Sequence, residues 1–288
     1  MPELPEVETI RRQLAPLVEG RVLARVEILD PRWSRPLAPA ELTRAIQGRR
    51  IEALRRRGKY LVWSFQDDVF LVQHLRMTGA VLCDPEPEHA HVRVRMELEP
   101  KLRLVVVDPR RFGTGELLLG SAALEGFLSA RLGVEPFDER FTPDYMRALA
   151  RGRRAPIKAL LLDQRRLAGV GNIYADEALY RAGVHPMRPA GRLSAEEHAR
   201  LHAALIEALQ AGIDARGATI DDFRHVDGVS GSFQNEFLVH RRAGEPCARC
   251  GREIVKTVVA GRGTYACEGC QPRPRRRRRV PVPASSGR

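Results

Sequence analysis

The sequence predicts an α+β protein: an N-terminal β-sandwich opened by a helix, then a helical half that ends in a small metal-bearing β-hairpin. Three observations carry this. Short strand-like runs fill the chain from about Val22 to Leu119, helical periodicity takes over after about Arg131, and four cysteines form two CxxC pairs near the end.

The elements follow in order. Val7, Ile10, Leu14 and Leu17 recur at three- and four-residue spacing, one apolar face of an opening helix. YLVWSF at 60–65 and VFLVQHL at 69–75 are separated by Gln66, Asp67 and Asp68, which reads as a hairpin. In HVRVRMEL at 91–98, Val92, Val94, Met96 and Leu98 alternate with Arg93, Arg95 and Glu97, the period of a half-buried strand, and LRLVVVDP at 102–109 follows. These runs assign residues 2–130 to the sandwich, and LGVEPFDERFTP supplies a linker over 131–140. Helices are expected over 143–150, 156–162, 172–182 and 194–215, the last capped by Ser194 with Glu196 and Glu197 in its first turn. They place a helical domain at 141–236, a finger at 237–271 and a disordered basic tail at 272–288.

The net charge is +12, and seven of the positive charges are tail arginines, so the rest of the chain still carries +5. A basic surface favours polyanions through counterion release. No apolar run is long enough to span a membrane, and the N-terminus lacks the pattern of a secretory signal, so a soluble cytoplasmic protein is expected. Cys247, Cys250, Cys267 and Cys270, spaced C-x2-C-x16-C-x2-C, fit one structural zinc ion held by four thiolates, with no open position for catalysis. Between them EIVKTVV is strand-like and Gly261-Arg262-Gly263 resembles a turn, whose arginine could meet a phosphate or simply be solvated.

Met1 precedes Pro2, a pairing from which the initiator is normally removed, leaving a secondary amine at the N-terminus. Such an amine attacks electrophilic carbon and forms a cationic iminium that draws electrons during elimination. Glu3 and Glu6 beside it suit proton transfer, although Pro-Glu also starts ordinary helices.

Six segments decide between these readings. MPELPEVE at the start, RRGKYL at 56–61, HLRMTG at 74–79, DPRRFG at 108–113, GVGNIYADE at 169–177 and the cysteine finger occur in an order that resembles the bacterial formamidopyrimidine-DNA glycosylase family over residues 1 to about 271. The resemblance implies a helix–two-turn–helix module in the helical half and excision of oxidised purines from double-stranded DNA by a monomer associated with the nucleoid. It implies Pro2 as nucleophile at C1′, Glu3 as the acid that opens the sugar, Lys59 in β-elimination and Arg262 in δ-elimination. Met77, Arg111 and Phe112 match residues that fill the gap left by an extruded base, Asn172 a phosphate ligand and His91 a DNA contact. Arg154 and Lys158 are expected to add phosphate contacts.

The chain departs from the family pattern at three places. Glu88-His89-Ala90 stands where lysine is expected, Val229 replaces a lysine in the loop over the flipped base, and His240 replaces a tyrosine. Two rivals remain. An endonuclease VIII-like enzyme for oxidised pyrimidines usually opens PEGPE and lacks the DPRRFG cluster. A zinc-ribbon DNA-binding protein without chemistry would not need Pro2, Glu3 and Lys59 together.

Overall fold

The computed structural model describes residues 2–85, 89–219 and 226–274. Two four-stranded antiparallel sheets form the N-terminal half. One runs β1 (Val22–Ile28), β6 (Val92–Glu99), β7 (Leu102–Val107), β5 (Ala80–Cys83), and the other β2 (Ile51–Arg57), β3 (Tyr60–Phe65), β4 (Val69–His74), β8 (Thr114–Leu119). The β3–β4 hairpin is paired from Tyr60↔His74 to Phe65↔Val69, and Asp67 and Asp68 turn it with φ of 61° and 56°. The alternation of β6 holds for Val94, Met96 and Leu98, which share the core between the sheets with Trp63, Phe65 and Val106. A register shift between Val92 and Val94 breaks it: Val92 packs instead with Ala80, Leu82, Val105 and Val107. Strand β4 is buried on both faces because α3 (Ser121–Ser129) lays Phe127 over Val62, Phe70 and Val72. Helices α2 (Pro39–Ile46) and α3 were not expected from periodicity; each is too short to show it.

The second half holds α4 (Pro143–Ala150), α5 (Ile157–Leu162), α6 (Asn172–Ala182) and α7 (Ala195–Asp214), close to the expected bounds. Ser194 and Glu197 form the reciprocal cap that starts α7. The segment before α4 is irregular and held from both sides. Arg56 and the Gly58 amide grip Glu135, while Gly133 N donates to Gln164 O at 2.8 Å. Strands β9 (Val255–Val259) and β10 (Arg262–Ala266) make the final hairpin, turned by Ala260 and Gly261 at φ of 50° and 71°. Arg262 is thus the first residue of β10, beside the turn.

Helix α1 (Leu4–Val18) joins the halves. Val7, Ile10, Leu14 and Val18 belong to the sandwich core, whereas Leu4 is buried among the helical-domain residues Leu167, Ile173 and Tyr174. Leu4 N also donates to Gly169 O at 3.0 Å. Truncating a side chain so enclosed costs about 2–5 kcal/mol. The first residues of the chain are therefore fixed at the junction of the two halves. Among the described residues no helix is long and apolar enough to cross a membrane.

Candidate active site

The N-terminal turn is determined atom by atom. Glu3 is buried, and its carboxylate accepts from Ile173 N at 3.0 Å, with Tyr174 N at 3.5 Å, so it sits on the N-terminus of α6. Free N–H groups and the helix dipole make that a favourable seat for an anion. Gly171 permits it: a Cβ there would lie 2.2 Å from the Glu3 carboxyl carbon. A Cβ on Gly169 would meet Leu4 at 2.6 Å. The glycines of GVGNIYADE thus admit the first turn of α1, a use that the turn motif alone did not reveal. Glu6 is buried one turn on and accepts from Glu3 N (2.8 Å), Tyr174 Oη (2.7 Å) and Ala218 N (2.8 Å). Burial, and secondarily the charge of Glu3, push its carboxyl above the usual range.

Glu3 opens onto a cleft of about 720 Å³ between the halves, a size suited to a small ligand or one nucleotide. The sandwich wall supplies Lys59, His74, Arg76 and Met77; the opposite wall supplies Asn172, His240, Lys256 and Arg262. Pro2 is buried next to Glu3 in sequence, and Met1 lies outside the described residues. Lys59 occupies the two-residue turn between β2 and β3 and is 6% exposed. Desolvation lowers its ammonium pKa, against the opposing pull of Glu3 and Glu6. His74 is held neutral, its pKa pushed down to about 3 by burial and then by Arg76 and Lys59. Its Nδ1 accepts from Arg76 N at 2.9 Å, so the neutral ring carries its proton on Nε2.

Three expected gap-filling residues come from two segments that one buried carboxylate ties together. Asp108 accepts from Phe112 N and Gly113 N at 2.7 Å each and from Thr78 Oγ1 at 2.5 Å, which sets DPRRFG beside HLRMTG. Phe112 is 51% exposed although its type suits a core, and Met77 is half-buried on the cleft. The arginines divide unexpectedly. Arg111, at φ 60°, donates to the buried Asp30 at 2.6 Å, a bond that holds the Asp30 carboxyl down at about 2. Arg110 is exposed and lies 4.9 Å over the Phe112 ring. The guanidinium beside the Phe112 ring is thus that of Arg110.

The remaining expectations fall as follows. His91 is exposed, and its amide donates to Nδ1 of the exposed His89 at 3.2 Å. Glu88 lies outside the described residues, as does the tail from 275. Arg154 is exposed but lines a separate groove with Arg153 and Arg192. Lys158 requires a correction. It is fully buried, and its ammonium reaches Asp176 Oδ1 at 2.6 Å and Thr264 Oγ1 at 2.8 Å. A buried cation so engaged is compensated by its partners and is not presented to phosphate. Asn172 Nδ2 donates to Gly263 O at 2.9 Å, which ties α6 to the hairpin beside Arg262. Val229 is 55% exposed.

Sequence reading missed the groups that build this wall. Asp176 bridges Lys158 and His240, the latter through Oδ2 to Nδ1 at 3.0 Å. Glu177, also buried, accepts from the amides of Leu238, Val239 and His240. Two adjacent acids inside a helix that is otherwise largely apolar were the available signal. The four cysteines converge with all Sγ atoms within 4.8 Å of one another, Cys247–Cys270 at 3.8 Å and Cys250–Cys267 at 3.4 Å. A tetrahedron of thiolates at about 2.3 Å from zinc has sulfurs about 3.8 Å apart, so the set fits one structural zinc ion.

Comparison with known proteins agrees with this geometry. Residues 1–115 match the formamidopyrimidine-DNA glycosylase N-terminal domain, 132–224 the H2TH domain of the same enzymes, and 244–273 a zinc finger found in FPG and IleRS. A formamidopyrimidine-DNA glycosylase of Thermus thermophilus is 47% identical over 274 residues, covering 94% of this chain and 98% of its own. The crystal structure of a MutM (Fpg) protein from Thermus thermophilus superposes with a TM-score of 0.83 at 46% identity, covering 94% of this chain and 98% of that one. A Lactococcus lactis Fpg mutant in complex with Fapy-dG containing DNA superposes at 0.88 and 38% identity, covering 94% and 100%. Wild-type Lactococcus lactis Fpg with an oxidized pyrimidine containing DNA gives 0.87 at 38% identity over the same shares. The chain belongs to the formamidopyrimidine-DNA glycosylase family.

Proposed function

We propose that this chain is a bifunctional DNA glycosylase and AP lyase of base-excision repair, excising oxidised purines through the Pro2 nitrogen. The observation that supports it most is the seating of Glu3, next to Pro2, on the α6 N-terminus in a cleft that also presents Lys59 and Arg262. With Met1 removed, the Pro2 lone pair attacks C1′ and the base departs with the electrons of the glycosidic bond. Glu3 delivers a proton to the sugar ring oxygen, and the opened sugar is held as an iminium on Pro2. Loss of a C2′ proton then sends electrons into the iminium and expels the 3′-phosphate. Lys59 contacts phosphate beside the lesion and serves this β-elimination. Arg262 grips the phosphate for the δ step, after which a one-nucleotide gap remains.

Extrusion of the base leaves a hole that Met77, Phe112 and an arginine fill. The structure favours Arg110 for the arginine's place, since Arg111 is already spent on Asp30. Asn172, His91 and Arg154 serve as further strand contacts, Asn172 once it exchanges or shares its bond to Gly263. Affinity for DNA would keep the protein at the nucleoid.

The test is trapping. A duplex with 8-oxoguanine opposite cytosine, incubated with the protein and borohydride, is expected to give a covalent adduct that Pro2→Gly abolishes. No adduct and no cleavage by the wild type would overturn the enzymatic reading. A 5-hydroxycytosine duplex, run in parallel, measures how far pyrimidine lesions are also accepted, as the Lactococcus lactis complex suggests for that protein.

A further inference from the structure

Tyr180, on the last turn of α6, does not line the cleft. It is 1% exposed and packs in a small apolar cluster with Val239, Ile254, Cys247 and Cys267. Its one polar side-chain atom, Oη, stands 3.1 Å from Cys247 Sγ. A cysteine that holds zinc has given up its proton, so of these two atoms only the phenol can donate. Arg249, inside the first CxxC loop, fixes the ring: its guanidinium lies 4.5 Å over the ring centroid and donates to Tyr180 O at 3.0 Å. The second CxxC loop sits on the same helix end. Gln271, next to Cys270, donates to Val184 O at 2.9 Å and accepts from Cys267 N at 3.0 Å.

The four sulfurs are not equally placed. Cys250 is exposed, so water can solvate its charge, whereas Cys247 is buried. A buried anion needs a donor, and leaving it without one is costly. Among the described residues, no side chain other than Tyr180 and the cysteines themselves hydrogen-bonds a ligand sulfur.

We propose that Tyr180 is an outer-sphere ligand of the zinc site: its hydroxyl donates to the Cys247 thiolate and tightens the hold on the ion. Four thiolates around one divalent cation leave an excess of negative charge, and the O–H dipole offsets part of it at a buried sulfur. The contact also has a structural reach. Asp176 lies four residues before Tyr180, one turn away on the same face of α6. The finger is therefore held to this helix at two heights, through the Asp176–Lys158–Thr264 chain and through the Tyr180–Cys247 bond. The N-terminus of the same helix seats Glu3, so occupancy of the zinc site bears on a helix that also builds the cleft.

Tyr180→Phe tests this, since it keeps the ring beneath Arg249 and deletes only the donor. Zinc affinity of the whole protein, measured by competition with a chromogenic chelator, should fall about 10- to 100-fold; unchanged affinity would overturn the proposal. Cobalt substitution separates the hydrogen bond from packing. In the cobalt-loaded protein the sulfur-to-metal charge-transfer absorption should move to lower energy in Tyr180→Phe, because a sulfur relieved of a hydrogen bond yields its electrons more readily. Val239→Ala, which loosens the same cluster without touching a polar side chain, should leave that band in place. An equal shift in both variants, or none in Tyr180→Phe, would overturn the proposal.

Discussion

Lys59 and Arg262 reach one cleft from opposite walls, and they are built in opposite ways. Lys59 stands at a tight turn of a sheet, buried, with its ammonium pKa depressed by desolvation. Arg262 starts the outer strand of a two-stranded hairpin and is exposed. An elimination needs a base that can exist uncharged, and burial on a rigid sheet moves a lysine toward that state. A phosphate grip needs a cation that never loses its proton, and a guanidinium on a hairpin satisfies it in water. For the roles proposed above, the difference teaches that position in the fold counts as much as residue type.

Exchange of the side chains should break this contrast on one side only. Lys59→Arg keeps the charge but removes the capacity to yield a proton, and cleavage of abasic DNA is expected to fall about 10²- to 10⁴-fold. Single-turnover rates measure it, and a loss below threefold would show that Lys59 is only a phosphate contact. Removal of zinc by a chelator should dismantle the other wall. Affinity for lesion duplex is expected to fall about 10- to 100-fold, while near-UV signals from Trp33 and Trp63 in the sandwich stay unchanged. The smallest effect separates the two neighbouring arginines. Arg110→Ala should cost about 1–3 kcal/mol of discrimination for cytosine opposite the lesion. Arg111→Ala should leave that discrimination intact and lower stability instead, since it strips the buried Asp30 of the cation that holds its carboxyl down. The reverse pattern would return the gap-filling role to Arg111.

What could be read in advance depended on whether a residue's environment is local. The β3–β4 hairpin, the capped α7 and the cysteine finger announce themselves through periodicity, a cap and a spacing that neighbours along the chain create. Lys158, Asp176 and Glu177 do not, because the partners that make their burial tolerable come from residues 18 to 106 positions away. Arg110 and Arg111 are adjacent and of one type. Only Asp30, some eighty positions earlier, tells them apart. The zinc cysteines were read correctly, whereas the glycines at 169 and 171 could be explained only once Leu4 and Glu3 were seen pressed against them.

That last packing sets an order of events. Glu3 and Leu4 cannot take up these buried seats until the segment from Gly169 to Tyr174, up to 171 positions further along the chain, has been synthesised and folded around them. In the mechanism proposed above, the Pro2 amine thus gains its acid partner's fixed geometry only after more than half of the protein exists. On that mechanism the competent nucleophile appears together with the cleft that restricts what can reach it.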